Sequence, residues 1–216
     1  MEDFKIGELD VARGTVILLE GSNSPQLFTA LKGLGLRYKT LRNGRRQVLN
    51  FIFPGDFVGL QAGLMGEMQH SVEATTPMTL CVFDRAGLWR LFQNQPSRAF
   101  DLTWLAAMEE HFLGDALASL GQKDAEARLA WALVRIFERC EMLEMVSNNE
   151  CPLPYRQQDL ADALGLSLVH TNKTLSRFRD RQIATWFGGR LKIHDRERLA
   201  EIGEIEAPER RKRPLL

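Results

Sequence analysis

His170, Lys173, Arg177 and Arg181 recur every three or four positions, which places three cations and an imidazole along one side of a helix. Such side chains donate hydrogen bonds to phosphate oxygens and to the purine edges of base pairs. The chemistry they offer is recognition of nucleic acid rather than bond breaking. No rival constellation stands out: there is no Ser-His-Asp spacing, no pair of acids in a glycine-framed pocket, no P-loop and no metal-ligand motif. The chain is read as a non-enzyme.

The elements that must position these residues lie within QQDLADALGLSLVHTNKTLSRFRDR, Gln157 to Arg181. Leu160 and Leu164 are four apart and share one face of a short first helix, and Ala161 is small where a second helix has to cross closely. Gly165 stands where the chain must turn, and Ser167 can cap a second helix over about 167–181. Small residue, glycine turn and cation-bearing second helix describe a helix-turn-helix, whose second helix enters the DNA major groove. An ordinary helical hairpin is the alternative for this window alone. After it, Ile183 to Trp186, Gly188-Gly189 and Leu191 to Ile193 predict a two-stranded wing, with Asp195 capping a closing helix from Arg196 to Ile205. The run Arg210 to Arg213 reads as a solvated cationic tail.

The 216 residues carry 28 Lys+Arg and 28 Asp+Glu, but unevenly. From Pro152 onward there are 13 cations against 9 acids, and before it 15 against 19. That asymmetry suits a DNA-reading module joined to an acidic one. Hydrophobic content of 44% and charged content of 26% are ordinary for a globular protein. No stretch approaches the 18 or so apolar residues of a membrane span, and MEDFKIGEL has no signal-peptide core. Cys81, Cys140 and Cys151 lack metal-ligand spacing and read as reduced, buried thiols. A cytoplasmic protein without contact to membrane is expected.

Residues 1–95 read as short strands: Val16 to Leu19, Leu27 to Leu31, Leu36 to Thr40, Val48 to Phe53, Val72 to Thr75 and Met78 to Phe83. Asn43-Gly44 predicts a two-residue type I′ hairpin, and Pro54-Gly55-Asp56 closes the following strand. Asp84 to Gln93 reads as helix, broken by Pro96, and Ser97 to about Leu120 as a long helix. Its stripe of Leu102, Leu105, Phe112 and Ala116 is interrupted at Glu109, with Trp104 and Met108 beside it. A stripe that wide has two surfaces to bury, one on its own domain and one on a second subunit. Glu109-Glu110 reads as a solvated edge. Gly121 interrupts the helix, and Lys123 to Cys140 resumes it with Leu129, Leu133, Ile136 and Cys140 on one face. Glu141 to Cys151 reads as irregular.

In this order of elements the chain resembles the CRP/FNR family of bacterial transcription regulators nearly end to end. The resemblance is carried by FPGDFVGL (Phe53 to Leu60), DLADALGLSLVHTNKTLSRFRDRQI (Asp159 to Ile183) and GGRLKIHDRERLAEI (Gly188 to Ile202). It implies an α+β chain: an N-terminal antiparallel β-roll, a jelly roll like a cyclic-nucleotide-binding domain, over 1–95, a long dimerisation helix over 96–121, and a C-terminal winged helix-turn-helix over 122–216. It also implies a homodimer on double-stranded DNA with two-fold related half-sites about 34 Å apart, and RNA polymerase as a partner. Leu168, Val169, His170 and Lys173 fall on the family's base-reading face, and Gln157, Gln158, Thr171, Ser176 and Arg177 are placed for the DNA backbone. Leu168 and Val169 replace polar readers and suit a thymine methyl, so the operator is expected to differ from that of the cyclic-AMP receptor.

At the effector end the family's cyclic-nucleotide binders have a Gly-Glu pair and an Arg-Ser pair. Here Gly59 is followed by Leu60, and His70 precedes Ser71. Leucine cannot hold a ribose hydroxyl, and histidine is a weak substitute for a permanent bidentate cation. Cyclic AMP is not expected as effector, and a cyclic-nucleotide or haem-dependent sensor using the same roll is the alternative reading. No cofactor is identified. An iron–sulfur cluster needs several thiolates and none precedes Cys81, while His70 and His111 are the only histidines available to haem outside the DNA-binding region.

Overall fold

The computed structural model describes residues 4–205; the cationic run at 210–213 lies outside them. The chain divides into two compact units, with the boundary between Leu113 and Gly114. That point falls inside the long helix rather than at either of its ends.

The first unit is a roll of two four-stranded sheets. Strands β1 (Lys5–Val11), β2 (Val16–Leu18), β3 (Gln26–Lys32), β4 (Gly35–Thr40), β5 (Arg46–Ile52), β6 (Phe57–Val58), β7 (Ser71–Ala74) and β8 (Met78–Asp84) pair antiparallel. Their orders are β1-β8-β3-β6 and β2-β7-β4-β5. Alternation along the strands sends side chains to two cores. Phe28, Ile52, Val72, Leu80 and Val82 fill the space between the sheets. Leu27, Cys81 and Phe83 turn the other way, onto Phe4, Leu88, Leu91 and Leu102.

The β4–β5 hairpin differs from the expected type I′ turn. Only Gly44 has positive φ, at 77°, and its N–H donates to Leu41 O at 2.9 Å while Leu41 N–H donates to Arg45 O at 2.8 Å. The connection is a type I turn followed by a left-handed glycine, one residue longer than a type I′ loop. Asn43 contributes through its side chain, which accepts from Arg45 N–H at 3.0 Å.

Helix α1 (Leu60–Met65) lies between β6 and β7, and α2 (Leu88–Asn94) follows β8 through a short 3-10 turn that Asp84 caps. Pro96 does more than end α2. It is the first residue of α3 (Pro96–Gln122), a position that needs no N–H. At 27 residues α3 is about 40 Å long. Gly121 lies within it, contrary to expectation. The break is set by Asp124, whose carboxylate accepts from Ala127 N–H at 2.9 Å and caps α4 (Ala125–Met142). Glu109 is not a solvated edge either: it pairs with Arg37 at 2.8 Å and accepts from Asn50 at 3.0 Å.

The second unit packs α4, α5 (Gln157–Leu164), α6 (Leu168–Asp180) and α7 (Arg196–Ile202) beside a small sheet. Leu129, Leu133, Ile136 and Cys140 of α4 are all buried. The sheet has three strands rather than two: β10 (Ala184–Phe187), β11 (Arg190–Ile193) and β9 (Glu150–Pro152), the last pairing with β11. Helix α7 stops at Ile202, three residues before the expected end. A Cβ on the next residue, Gly203, would lie 2.9 Å from Trp131 N, so the chain passes α4 too closely for any other side chain. All three cysteines are free and buried. The pKa of the Cys151 thiol is pushed up by its hydrogen bond with the Cys140 thiol and by burial. No described helix is long and apolar enough to cross a membrane.

Candidate nucleic-acid interface

Local sequence builds the reading helix. Asp159 reaches back to Arg156 N–H at 2.8 Å and to its guanidinium at 2.7 Å, fixing the start of α5. Gly165 then turns the chain with φ 63°, a left-handed conformation that side chains with a Cβ resist. Ser167 accepts from His170 N–H at 3.2 Å and starts α6. Thr171, Thr174 and Phe178 are the buried face of α6, spaced by three and four.

The opposite face carries Val169, Asn172, Lys173 and Ser176. Val169 is 78% exposed, an apolar side chain on a helix face with nothing to cover it. Leu168 and His170 are exposed at the first turn. Lys173 is exposed, with no hydrogen-bond or ion-pair partner among the described residues. Its ammonium is free to meet an acceptor. The structure therefore brings Leu168, Val169, His170 and Lys173 onto one accessible end and side of α6. It adds Asn172, three residues from Val169, which the spacing of cations in the sequence did not draw out.

The residues expected at the DNA backbone divide. Gln158 is exposed and donates to Asp162 at 2.6 Å, and Gln157 is half-buried beside it. Ser176 is half-buried and accepts from Arg179 at 2.9 Å. Thr171 does not reach the surface: it is buried, and its hydroxyl donates to Ser167 O at 3.1 Å, where it serves helix packing. Arg177 is turned from the reading face. Its guanidinium pairs with Glu126 of α4 at 3.1 Å and donates to Thr174 Oγ1 at 3.2 Å. In the wing, Lys192 is exposed, Arg190 pairs with Glu150, and Trp186 Nε1 donates to Leu153 O at 3.0 Å.

In the roll, Gly59 precedes α1, and Leu60 packs on the Leu27–Phe83–Leu88 cluster rather than between the sheets. Ser71 is buried, and its Oγ accepts from Glu20 N–H at 3.0 Å. Burial lowers the pKa of His70 to about 4, helped by Arg37 and Lys39 against the opposing pull of Glu20. The imidazole is thus neutral at pH 7 and supplies no cation. The cation in that neighbourhood is Arg37, which sequence spacing did not pick out. It shares a sheet face with its cross-strand partner Val72, and it is committed to Glu109 and to Phe57 O at 3.0 Å. Among the described residues no three His, Cys, Asp or Glu side chains gather to hold a metal.

Residues 8–95 match the family model of the cyclic nucleotide-binding domain, and residues 127–202 that of the Crp-like helix-turn-helix domain. The chain is 32% identical over 177 residues to the nitrogen fixation regulation protein FixK of Bradyrhizobium diazoefficiens, covering 82% of this chain and 73% of that protein. It is 28% identical over 179 residues to the transcriptional activatory protein AadR of Rhodopseudomonas palustris, covering 83% and 74%. Its fold superposes on the structure of FixK2 from Bradyrhizobium japonicum with a TM-score of 0.83 at 25% identity, covering 94% of this chain and 98% of that one. A cyclic-nucleotide-binding-type roll followed by a helix-turn-helix, in a chain so related, is a DNA-binding regulator and not an enzyme: the chain belongs to the CRP/FNR family of transcription regulators.

Proposed function

We propose that the chain acts as a homodimer that lays α6 of each copy in the major groove of one half of a two-fold related site. The carrying observation is the free ammonium of Lys173 set among exposed Val169, His170 and Asn172 on a helix whose other face is buried. Lysine donates to guanine O6 and N7, asparagine pairs bidentately with adenine, and valine and Leu168 suit a thymine methyl. Gln157, Gln158 and Ser176 take the flanking phosphates. Exposed Leu113 and Leu117, four apart on α3, support pairing of two copies along that helix. RNA polymerase is the partner that follows from the family.

The roll works without cyclic AMP in this reading. What supports it is a neutral His70, a Ser71 hydroxyl spent on Glu20, and a Leu60 that serves the apolar cluster. Calorimetry with cyclic AMP is expected to show no binding, and micromolar affinity would overturn that part.

The DNA part is tested with a site selected from a random duplex pool. Lys173→Ala is expected to weaken binding to the selected site about 10- to 100-fold, in line with 1–3 kcal/mol for a base contact, and binding to random duplex by under about threefold. Equal losses on both would reduce Lys173 to a phosphate contact.

A further inference from the structure

One carboxylate ties Arg177 of the reading helix, and Arg181 at its C-terminal cap, to the body of the second unit. Glu126 lies in the first turn of α4. Its Oε2 takes Arg177 at 3.1 Å and its Oε1 takes Arg181 at 3.2 Å, so each oxygen holds one guanidinium. Arg177 is locked further by Thr174, and its Nε is buried with no hydrogen-bond partner among the described residues. An arginine oriented in that way turns its guanidinium to α4, although its side chain keeps part of its surface in solvent. Lys173, one turn earlier on the same helix, has no such restraint.

This matters because cations that reach phosphates add affinity for every sequence alike, whereas base contacts add it for one. A DNA-reading helix with Lys173, Arg177 and Arg181 all loose would gain much of its affinity from phosphates. We infer that Glu126 is a specificity-setting residue: by holding Arg177 and Arg181 on a single carboxylate it keeps both from the DNA phosphates and lowers sequence-independent affinity without touching the base-reading face. The inference rests on the reading of α6 as the DNA-contacting helix. It assigns to an acid of α4 the role that repulsive or withheld contacts play in specificity generally.

The experiment measures fluorescence anisotropy of the full chain on a random-sequence duplex and on a selected site across a potassium chloride series. Each phosphate neutralised contributes about 0.9 to the slope of log affinity against log salt. Glu126→Gln is expected to steepen the random-duplex slope by about 0.9 to 1.8, one or two phosphates, and to narrow the ratio of selected to random affinity several-fold. Glu126→Asp keeps the charge and the native slope. Arg177→Gln and Arg181→Gln, each in the native background, are expected to change the slope by less than about half of one phosphate's share. Adding both to Glu126→Gln restores the native slope.

An unchanged or shallower slope in folded Glu126→Gln overturns the inference. So does a drop of about 0.9 from either arginine substitution alone, since that arginine would then be on a phosphate already. Circular dichroism checks folding, and if Glu126→Gln fails to fold the two arginine substitutions decide. Failure of the native chain to bind any duplex would instead overturn the DNA-contacting reading of α6.

Discussion

A lysine with nothing to hold it and an arginine held twice over stand four residues apart on the same helix, and the difference decides what each can do. The resemblance places both on DNA, Lys173 at base edges and Arg177 at the backbone. Their surroundings separate them, because the partner of Arg177 is Glu126, 51 residues earlier in the chain. No local spacing could reveal that pair. The same holds for Arg37 and Glu109 in the roll, whereas Ser167 as a cap was legible because its partner, His170 N–H, is three residues away. His70 gives a prediction at this scale. Its pKa falls from 6.5 to about 4 on folding, so the unfolded chain binds the proton more readily. The stability linked to neutral His70 is therefore complete above pH 6.5 and is lost as pH falls from 6.5 towards 4. At pH 5 the loss is on the order of 2 kcal/mol. Urea unfolding at pH 7.5 and pH 5 is expected to show this loss in the native chain and to lack most of it in His70→Gln. Equal pH dependence in both would show that the imidazole does not titrate as its surroundings dictate.

Elements were read best where their ends are marked by local chemistry. The turn between α5 and α6 was legible in full, since Gly165, Ser167 and the pair Leu160 and Leu164 each act within a few residues. The end of α3 is not set by Gly121 but by Asp124, whose side chain caps α4 from beyond the helix. Strand β9 leaves no mark in the sequence for a different reason. It has three residues, and only Cys151 among them is buried, which is too little for period-two alternation to register. In the β4–β5 hairpin the dipeptide gave the turn but not its length. The Gly165 turn supports a test of its own. A methyl group there meets only Leu120 Cδ2 at 3.9 Å and Arg128 Nη1 at 4.0 Å, so packing is unaffected and the backbone bears the cost. Gly165→Ala is expected to destabilise the second unit by about 1–2 kcal/mol. For a unit of this size that is roughly 4–8 °C in Tm per kcal/mol. Gly165→Asn should lose less, because asparagine tolerates the left-handed region. A melt of Gly165→Ala that matches the native chain would mean that the turn can relax out of its left-handed form.

On the scale of the whole molecule, the order of roll, long helix and winged motif was readable from the sequence. The division between compact units within α3 was not, because one continuous helix runs through it. The pairing of β1 with β8 also has a consequence in time. Lys5 pairs with Phe83 and Val11 with Met78, so the sheet that opens the chain waits for the last strand of the roll. The second unit mixes near contacts, α5 on α6 and β10 on β11, with the more distant packing of α4 on α6 and α7, but none of its elements is as far apart in the chain as β1 and β8. Closing long loops before they are rewarded slows folding, and local contacts speed it. Stopped-flow refolding with a prolyl isomerase present is expected to show a fast phase and a slow one. The fast phase should vanish from tryptophan fluorescence in Trp131→Phe/Trp186→Phe, and the slow phase should fade in Trp104→Phe. The reverse assignment would refute it. From a denatured chain, the unit that carries the helix-turn-helix is expected to be complete while the roll still lacks its first strand.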